Sequence, residues 1–191
     1  KARAGSSDLN HYFDRKLETL RTESREIVHR VQADRVLTEQ EQARFYTDWT
    51  LSAVRLASGI EGLQDARALS EALGIPRPTA EKAIDFLLSV GLCKREGERI
   101  VPSVSHTHIP RNSPFVSNHH RNWRLKAIEL FPKMDENDLC FTAPFTCSGK
   151  DLKKIRATLL DAIKAVSDTV KASDPDRLCF VNIDLADLFK K

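Results

Sequence analysis

The chain has 191 residues, of which 41% are hydrophobic and 30% charged, enough to bury one large core or two small ones. No stretch approaches the roughly 18 to 20 continuous apolar residues of a membrane-spanning helix, and no segment has the layout of a secretory signal. Composition therefore argues against a disordered, membrane-spanning or secreted protein. We expect a cytoplasmic one.

Four cysteines are scattered along the chain without the C-x-x-C spacing of a zinc or redox motif: Cys93, Cys140, Cys147 and Cys179. Such a distribution predicts reduced thiols that pack as small apolar side chains.

Residues 1–60 have the pattern of two helices and are assigned as a helical dimerisation and linker region. Within residues 8–35, apolar side chains recur at spacings of three and four: Phe13, Leu17, Leu20, Ile27 and Val31. A second helix is expected to begin at Thr38 and to continue unbroken to about Gly59. The chain does not begin with Met, so we expect further sequence upstream.

A helix-turn-helix followed by a hairpin is predicted over residues 61–104. A helix over residues 64–73 ends at Gly74, which supplies the tight turn. Pro76 and Pro78 suit only the first turn of the next helix, where missing N–H groups cost little. The stretch "LCKREGERIVPSV" then indicates strand, turn and strand. Together these elements predict a winged helix-turn-helix.

Residues 105–131 are a polar, proline-interrupted connection that becomes a helix, and residues 132–191 are predicted to form a C-terminal α/β segment. There, "DLCFTAPFTC" indicates a strand, "SGKDLKKIRATLLDAIKAVSDTVKAS" a helix, and "DRLCFVNIDLADLF" a second strand. The predicted fold class is therefore α+β and predominantly helical. It combines long N-terminal helices, the winged helix-turn-helix and a small strand-helix-strand layer.

The winged helix carries the first candidate for nucleic-acid binding, because the second helix of such folds lies in the major groove. The candidate DNA-contacting residues are Arg77, Thr79 and Lys82 on that helix and Lys94, Arg95 and Arg99 on the wing. Glu81 and Asp85 interrupt this surface, and residues 61–100 carry six Lys and Arg against seven Asp and Glu. Since neutralising phosphates drives affinity, the mixed charge predicts weak binding. The alternative is a winged helix used for packing or protein interaction.

A second basic patch is predicted in "HHRNWRLK", where Arg121, Arg124 and Lys126 accompany Trp123. A basic helix with an aromatic ring can follow a nucleic-acid backbone. The competing interpretation is a solvated helix face whose Trp123 points to the core.

Four histidines cluster near the connection: His106, His108, His119 and His120. His-x-His on extended chain places both rings on one face, and a second pair could close a tetrahedral site. No acidic or cysteine ligand lies beside them, so surface histidines are the favoured interpretation. We predict no metal and no cofactor.

No motif calls for an enzyme. "CSGKD" lacks the second glycine of a phosphate loop, and it is better interpreted as a helix start at Ser148 and Gly149. No nucleophile elbow or paired-carboxylate motif is present.

The chain resembles an uncharacterised bacterial family of predicted transcriptional regulators. The resemblance depends on "LTEQEQARFYTDWTLSAVRLA", on "LLSVGLCKREGERI" and on the closing "VNIDLADLF", and it covers roughly residues 8–189. It implies a longer protein with a further helix-turn-helix of the phage-repressor type ahead of this segment. The family tends to end in Phe-Pro-Leu, whereas here Leu188 and Phe189 are followed by two lysines.

Two functions remain open on the sequence alone. The first is the C-terminal part of a homodimeric transcriptional regulator whose winged helix binds double-stranded DNA. The alternative is a protein-interaction or dimerisation module whose winged helix does not contact DNA. A small-ligand sensor in the strand-helix-strand layer is a third idea, for which no pocket residues are identified.

Overall fold

The computed structural model describes residues 37–103 and 113–189. In this part of the chain, six α-helices accompany one two-stranded sheet, which confirms an α+β, predominantly helical fold. The predicted helix over residues 8–35 lies outside the described residues. No helix in the described ranges is long and apolar enough to cross a bilayer.

The predicted single helix from Thr38 to Gly59 is wrong, because two helices occupy this region. Helix α1 spans Glu39–Phe45 and helix α2 spans Thr50–Ala57. A capping box at Thr38 begins α1 as expected. Local hydrogen bonds then compete with the helix: Thr47 Oγ1 donates to Ala43 O at 2.6 Å, and Asp48 Oδ1 accepts from Thr50 N at 2.6 Å.

The break between α1 and α2 is also stabilised from a distant part of the chain. Asn122 Nδ2 donates to Tyr46 O at 3.1 Å and to Thr47 O at 2.9 Å. The carbonyl groups that a continuous helix would have satisfied are therefore paired by a side chain instead.

Helices α3, Ala66–Leu73, and α4, Arg77–Ser89, confirm the predicted pair and its turn. Asp65 caps α3 by accepting from Arg67 N and Ala68 N. Gly74 ends α3 with φ +62°, a left-handed conformation that favours glycine. The buried face of α4 contributes a compact apolar set to the core: Ala80, Ala83, Ile84, Phe86 and Leu87.

A hairpin follows α4. Strand β1, Cys93–Glu96, pairs antiparallel with strand β2, Arg99–Pro102, with Glu96 opposite Arg99. The two-residue turn between them begins at Gly97, whose φ of +63° suits a tight hairpin. Ile100 N donates to Gln64 O at 2.9 Å, which ties the hairpin to the chain just before α3.

The C-terminal part contains helix α5, Val116–Leu130, a 3-10 turn, Phe131–Lys133, and helix α6, Gly149–Lys171. Ser148 caps α6 by accepting from Asp151 N, so the predicted helix start is confirmed. The two flanking strands of the predicted strand-helix-strand layer are wrong: residues 139–147 and 174–187 lie outside any sheet of the described chain. A strand requires a partner backbone, and neither segment finds one there.

The core is concentrated in residues 37–103. Among the described residues, every large apolar side chain that is fully buried belongs to this range, including Phe45, Leu69, Leu87 and Leu92. The C-terminal part adds only partly buried side chains to the core, among them Phe115 and Leu178. Neither α5 nor α6 has a buried residue.

Candidate nucleic-acid interface

The exposed face of α4 carries the three residues predicted to contact DNA from this helix. Arg77, Thr79 and Lys82 are all exposed, and they follow the turn at the start of the helix. Arg77 Nε lies 3.0 Å from Glu81 Oε1, one turn further along. This ion pair reduces the charge that Arg77 presents, whereas Lys82 has no ion pair within the described ranges.

The hairpin carries the other three predicted residues. Lys94 Nζ lies 2.7 Å from Glu96 Oε1, so it too is partly neutralised. Arg95 and Arg99 are exposed and form no ion pair with any described residue. Three cations of the two elements therefore lack an ion pair with a described residue: Lys82, Arg95 and Arg99. The strand register places Arg95 opposite Ile100 and Arg99 opposite Glu96, so the two arginines lie on different faces of the hairpin.

Acidic side chains occupy the space between α4 and the hairpin. A groove of about 240 Å³ is lined there by Asp65, Glu81, Asp85 and Glu98, with Arg95 and Ile100 at its wall. Carboxylates in this position oppose a phosphate backbone. Sequence reasoning identified Glu81 and Asp85 but did not place Asp65 beside them, because its approach depends on how the hairpin folds against α3.

The second predicted basic patch does not form a continuous cationic surface. Nε and Nη2 of the Arg124 guanidinium both donate to the Asp184 carboxylate, with Nε 3.0 Å from Oδ1 and 2.8 Å from Oδ2. Lys126 Nζ lies 3.2 Å from Glu129 and 4.1 Å from the centre of the Trp49 ring, a cation–π contact. Arg121 is exposed and donates to Asn118.

These contacts favour the competing interpretation of the α5 segment. Trp123 is half-buried, and its ring lies 6.3 Å from Trp49 and 5.2 Å from Phe180, measured between centroids. Arg124 and Lys126 attach other parts of the chain to α5. These contacts favour a structural role for the two side chains over a nucleic-acid-binding role.

Of the four histidines, His106 and His108 lie outside the described residues. His119 and His120 have ring centroids 6.0 Å apart. His119 is half-buried against the edge of Tyr46, and burial, followed by the charge of His120, lowers the pKa of its imidazole. Residues 37–103 and 113–189 contain no group of three or more His, Cys, Asp or Glu positioned to hold a metal ion.

Sequence reasoning missed a buried polar group beneath the hairpin. Arg55 on α2 is only 3% exposed, and burial lowers the pKa of its guanidinium. Ser58 Oγ lies 3.8 Å from Cys93 Sγ, and burial raises the pKa of that thiol. A single charged residue within the apolar stretch "LSAVRLA" was the available signal. The group attaches β1 to α2 and is inaccessible to a large ligand.

The elements described above define a helical α+β protein with a helix, turn, helix and hairpin in sequence. A family model described as a domain of unknown function, DUF4423, matches residues 28–188. The chain belongs to this family. No curated protein and no solved structure matches the chain.

Proposed function

We propose that the chain is part of a cytoplasmic bacterial transcriptional regulator in which residues 61–103 form a winged helix that contacts the backbone of double-stranded DNA. The observation that carries this proposal is that Lys82 on α4 and Arg95 and Arg99 on the hairpin are exposed and form no ion pair with any described residue. The hydrogen bond from Ile100 N to Gln64 O supports it, because it holds the hairpin in place beside the two helices.

Phosphate contact, and not reading of base edges, is the role that the charges favour. Three cations would neutralise about three phosphates, which predicts a slope of log affinity against log salt of about −3. Glu81 and Asp85 lie on the face of α4 that would enter the major groove, and carboxylates there oppose deep insertion. Under this proposal, the upstream helix-turn-helix implied by the resemblance reads the DNA sequence. No catalytic role is proposed.

Fluorescence anisotropy with a labelled mixed-sequence duplex at low salt tests the proposal. The variant Lys82→Ala, Arg95→Ala, Arg99→Ala should bind at least about tenfold more weakly and flatten the salt slope by about 2 to 3. A matched control removes three exposed lysines of α6 through Lys150→Ala, Lys153→Ala and Lys164→Ala. The control has the same change in net charge and should retain the affinity of the parent. Equal affinity in both variants would remove this surface from DNA binding.

A protein-interaction module is the second candidate. The acidic groove lined by Asp65, Glu81, Asp85 and Glu98 favours it, since such a surface suits a basic protein segment better than a polyanion. Absence of any affinity for DNA at low salt, combined with a folded chain, would support this candidate over the first.

A further inference from the structure

The two parts of the described chain differ sharply in how much apolar surface they expose. Within residues 37–103 the one large hydrophobic side chain in the exposed class is Leu56, at 47%. Residues 113–189 contain fourteen: Leu125, Ile128, Phe131, Leu139, Phe141, Phe145, Leu160, Ile163, Val166, Val170, Val181, Ile183, Leu188 and Phe189. Monomeric soluble proteins rarely expose contiguous apolar patches larger than a few hundred Å².

Residues 178–185 form an extended segment that packs against α5 on one side only. Phe180 stacks on Trp123, Asn182 Nδ2 donates to Trp123 O at 3.2 Å, and Asp184 binds Arg124. The alternate residues face outward, with Val181 64% exposed and Ile183 37% exposed. This period of two is that of a half-buried strand.

The segment has the side-chain pattern of a strand but lacks the pairing of one. Among the described residues, 174–189 make no backbone-to-backbone hydrogen bond. A row of unsatisfied N–H and C=O groups beside an apolar face is a template for the addition of another strand.

Residues 139–147 have the complementary pattern. Leu139, Phe141 and Phe145 are 90%, 83% and 55% exposed and alternate with polar or small side chains. This segment, too, makes no backbone-to-backbone hydrogen bond within the described ranges. Pro144 lacks an N–H group, which confines such a strand to a sheet edge.

We propose that residues 139–147 of a second copy of this chain pair with residues 178–185, and that the exchange is reciprocal across a two-fold axis. The receiving site is the groove of about 360 Å³ between α5, α6 and residues 178–185. Its apolar wall consists of Ile163, Val166, Val170, Val181 and Ile183, and its polar lining of His120, Arg124, Ser167 and Asn182. Aromatic side chains of the incoming segment, Phe141 and Phe145, cover the apolar wall.

A second copy is the occupant that the exposed surface favours. With an aromatic side chain burying roughly 150–250 Å², the fourteen exposed residues present on the order of 1,000 Å² per chain. A standard interface takes about 800 Å² from each partner. In a dimer with two-fold symmetry, the donor and acceptor segments of both chains are all covered at once, so the assembly is closed. The inference does not depend on DNA binding.

The natural cysteines provide a direct test with the full 191-residue chain. Cys140 and Cys147 lie in the donor segment, Cys179 lies in the acceptor segment, and all three are exposed. Chains labelled with ¹⁴N and ¹⁵N are unfolded together in urea, refolded, treated with a short bismaleimide and digested. We expect a dimer by light scattering and linked peptides of mixed isotope joining Cys179 to Cys140 or Cys147. A monomer, or links confined to one isotope, would overturn the proposal.

A point variant tests the same interface without the cross-linker. Phe141→Ser removes an 83% exposed ring and should weaken the dimer at least about tenfold while far-ultraviolet circular dichroism stays unchanged. The control Leu56→Ser removes an exposed apolar side chain from the other part of the molecule and should leave the dimer constant unaltered. Equal dimer constants for Phe141→Ser and the parent would contradict the exchange.

Discussion

Arg124 and Asp184, 60 residues apart, form a bidentate ion pair that attaches the C-terminal segment to α5. The planar guanidinium fork matches the carboxylate, so the pair fixes an orientation as well as a distance. The Asp184 side chain is 64% exposed, and solvent screening limits its contribution to stability. Its main effect is to position residues 178–185.

Asp184→Asn should loosen this attachment at little cost to global stability. We expect at most about 1 kcal/mol less free energy of unfolding in urea, because the pair is exposed. Cleavage by chymotrypsin after Phe180 should become clearly faster than in the parent. Asp176→Asn, in an exposed position of the same segment, should change neither quantity. An unchanged cleavage rate in Asp184→Asn would show that packing on Trp123 alone holds the segment.

Gly74→Ala should destabilise the fold by about 1 kcal/mol, because φ at this residue is +62°. A Cβ there meets nothing within 4 Å, so the cost comes from the backbone alone. Gly149→Ala is the matched control, since it has equal space, no positive φ and a helical position. The control should be neutral or slightly stabilising in thermal unfolding. Similar melting temperatures for both variants would contradict this account of the turn.

We expect the half-buried His119 to make the protein less stable as the pH falls. Burial holds the pKa of its imidazole below the ordinary value of 6.5, so the unfolded chain binds a proton first as the pH falls. Stability is therefore fully present above pH 6.5 and decreases below it until the folded form also protonates. His119→Gln should reduce the difference between the free energies of unfolding measured in urea at pH 7.5 and at pH 5.5. His120→Gln, at an exposed position, should retain more of that difference.

Under the proposed function, the double variant Glu81→Gln, Asp85→Asn should strengthen DNA binding. Removing two carboxylates that would face the DNA backbone should raise affinity roughly three- to tenfold at low salt, which corresponds to about 1 kcal/mol. Glu136→Gln with Asp161→Asn gives the same change in net charge at exposed sites elsewhere and should have little effect. The measurement is an anisotropy titration of one labelled duplex with each of the three proteins: the parent and the two double variants. An equal gain in both pairs would mean that net charge, and not this surface, governs binding.

The elements of residues 61–103 were predictable because their boundaries are set locally. Asp65 caps one helix, Gly74 ends it, and Pro76 and Pro78 begin the next. Gly97 places the hairpin turn. Each signal acts within a few residues of its own position, so the pattern of a single chain is sufficient.

The remaining features depend on partners far along the chain. The sequence around Thr47 does not indicate that Asn122, 75 residues away, donates a hydrogen bond to the Thr47 carbonyl. In the sequence, Arg124 has no evident partner, and only the fold brings Asp184 into contact with it. The sequence predicts the individual residues of the candidate DNA surface. The structure adds the ion pair between Arg77 and Glu81 and the acidic groove, which forms where the hairpin packs beside α4.

The contact of Asn122 with the α1–α2 break has a consequence for any shortened form of the protein. The apolar spacing of residues 39–57 is that of one continuous helix, yet they fold as two helices because Asn122 on α5 donates hydrogen bonds to the carbonyl groups at the break. A fragment that ends before α5 lacks these hydrogen bonds. In such a fragment a single continuous helix over these residues competes with the two-helix conformation. In the continuous helix, Phe45 and Tyr46 would no longer occupy their buried positions in the core.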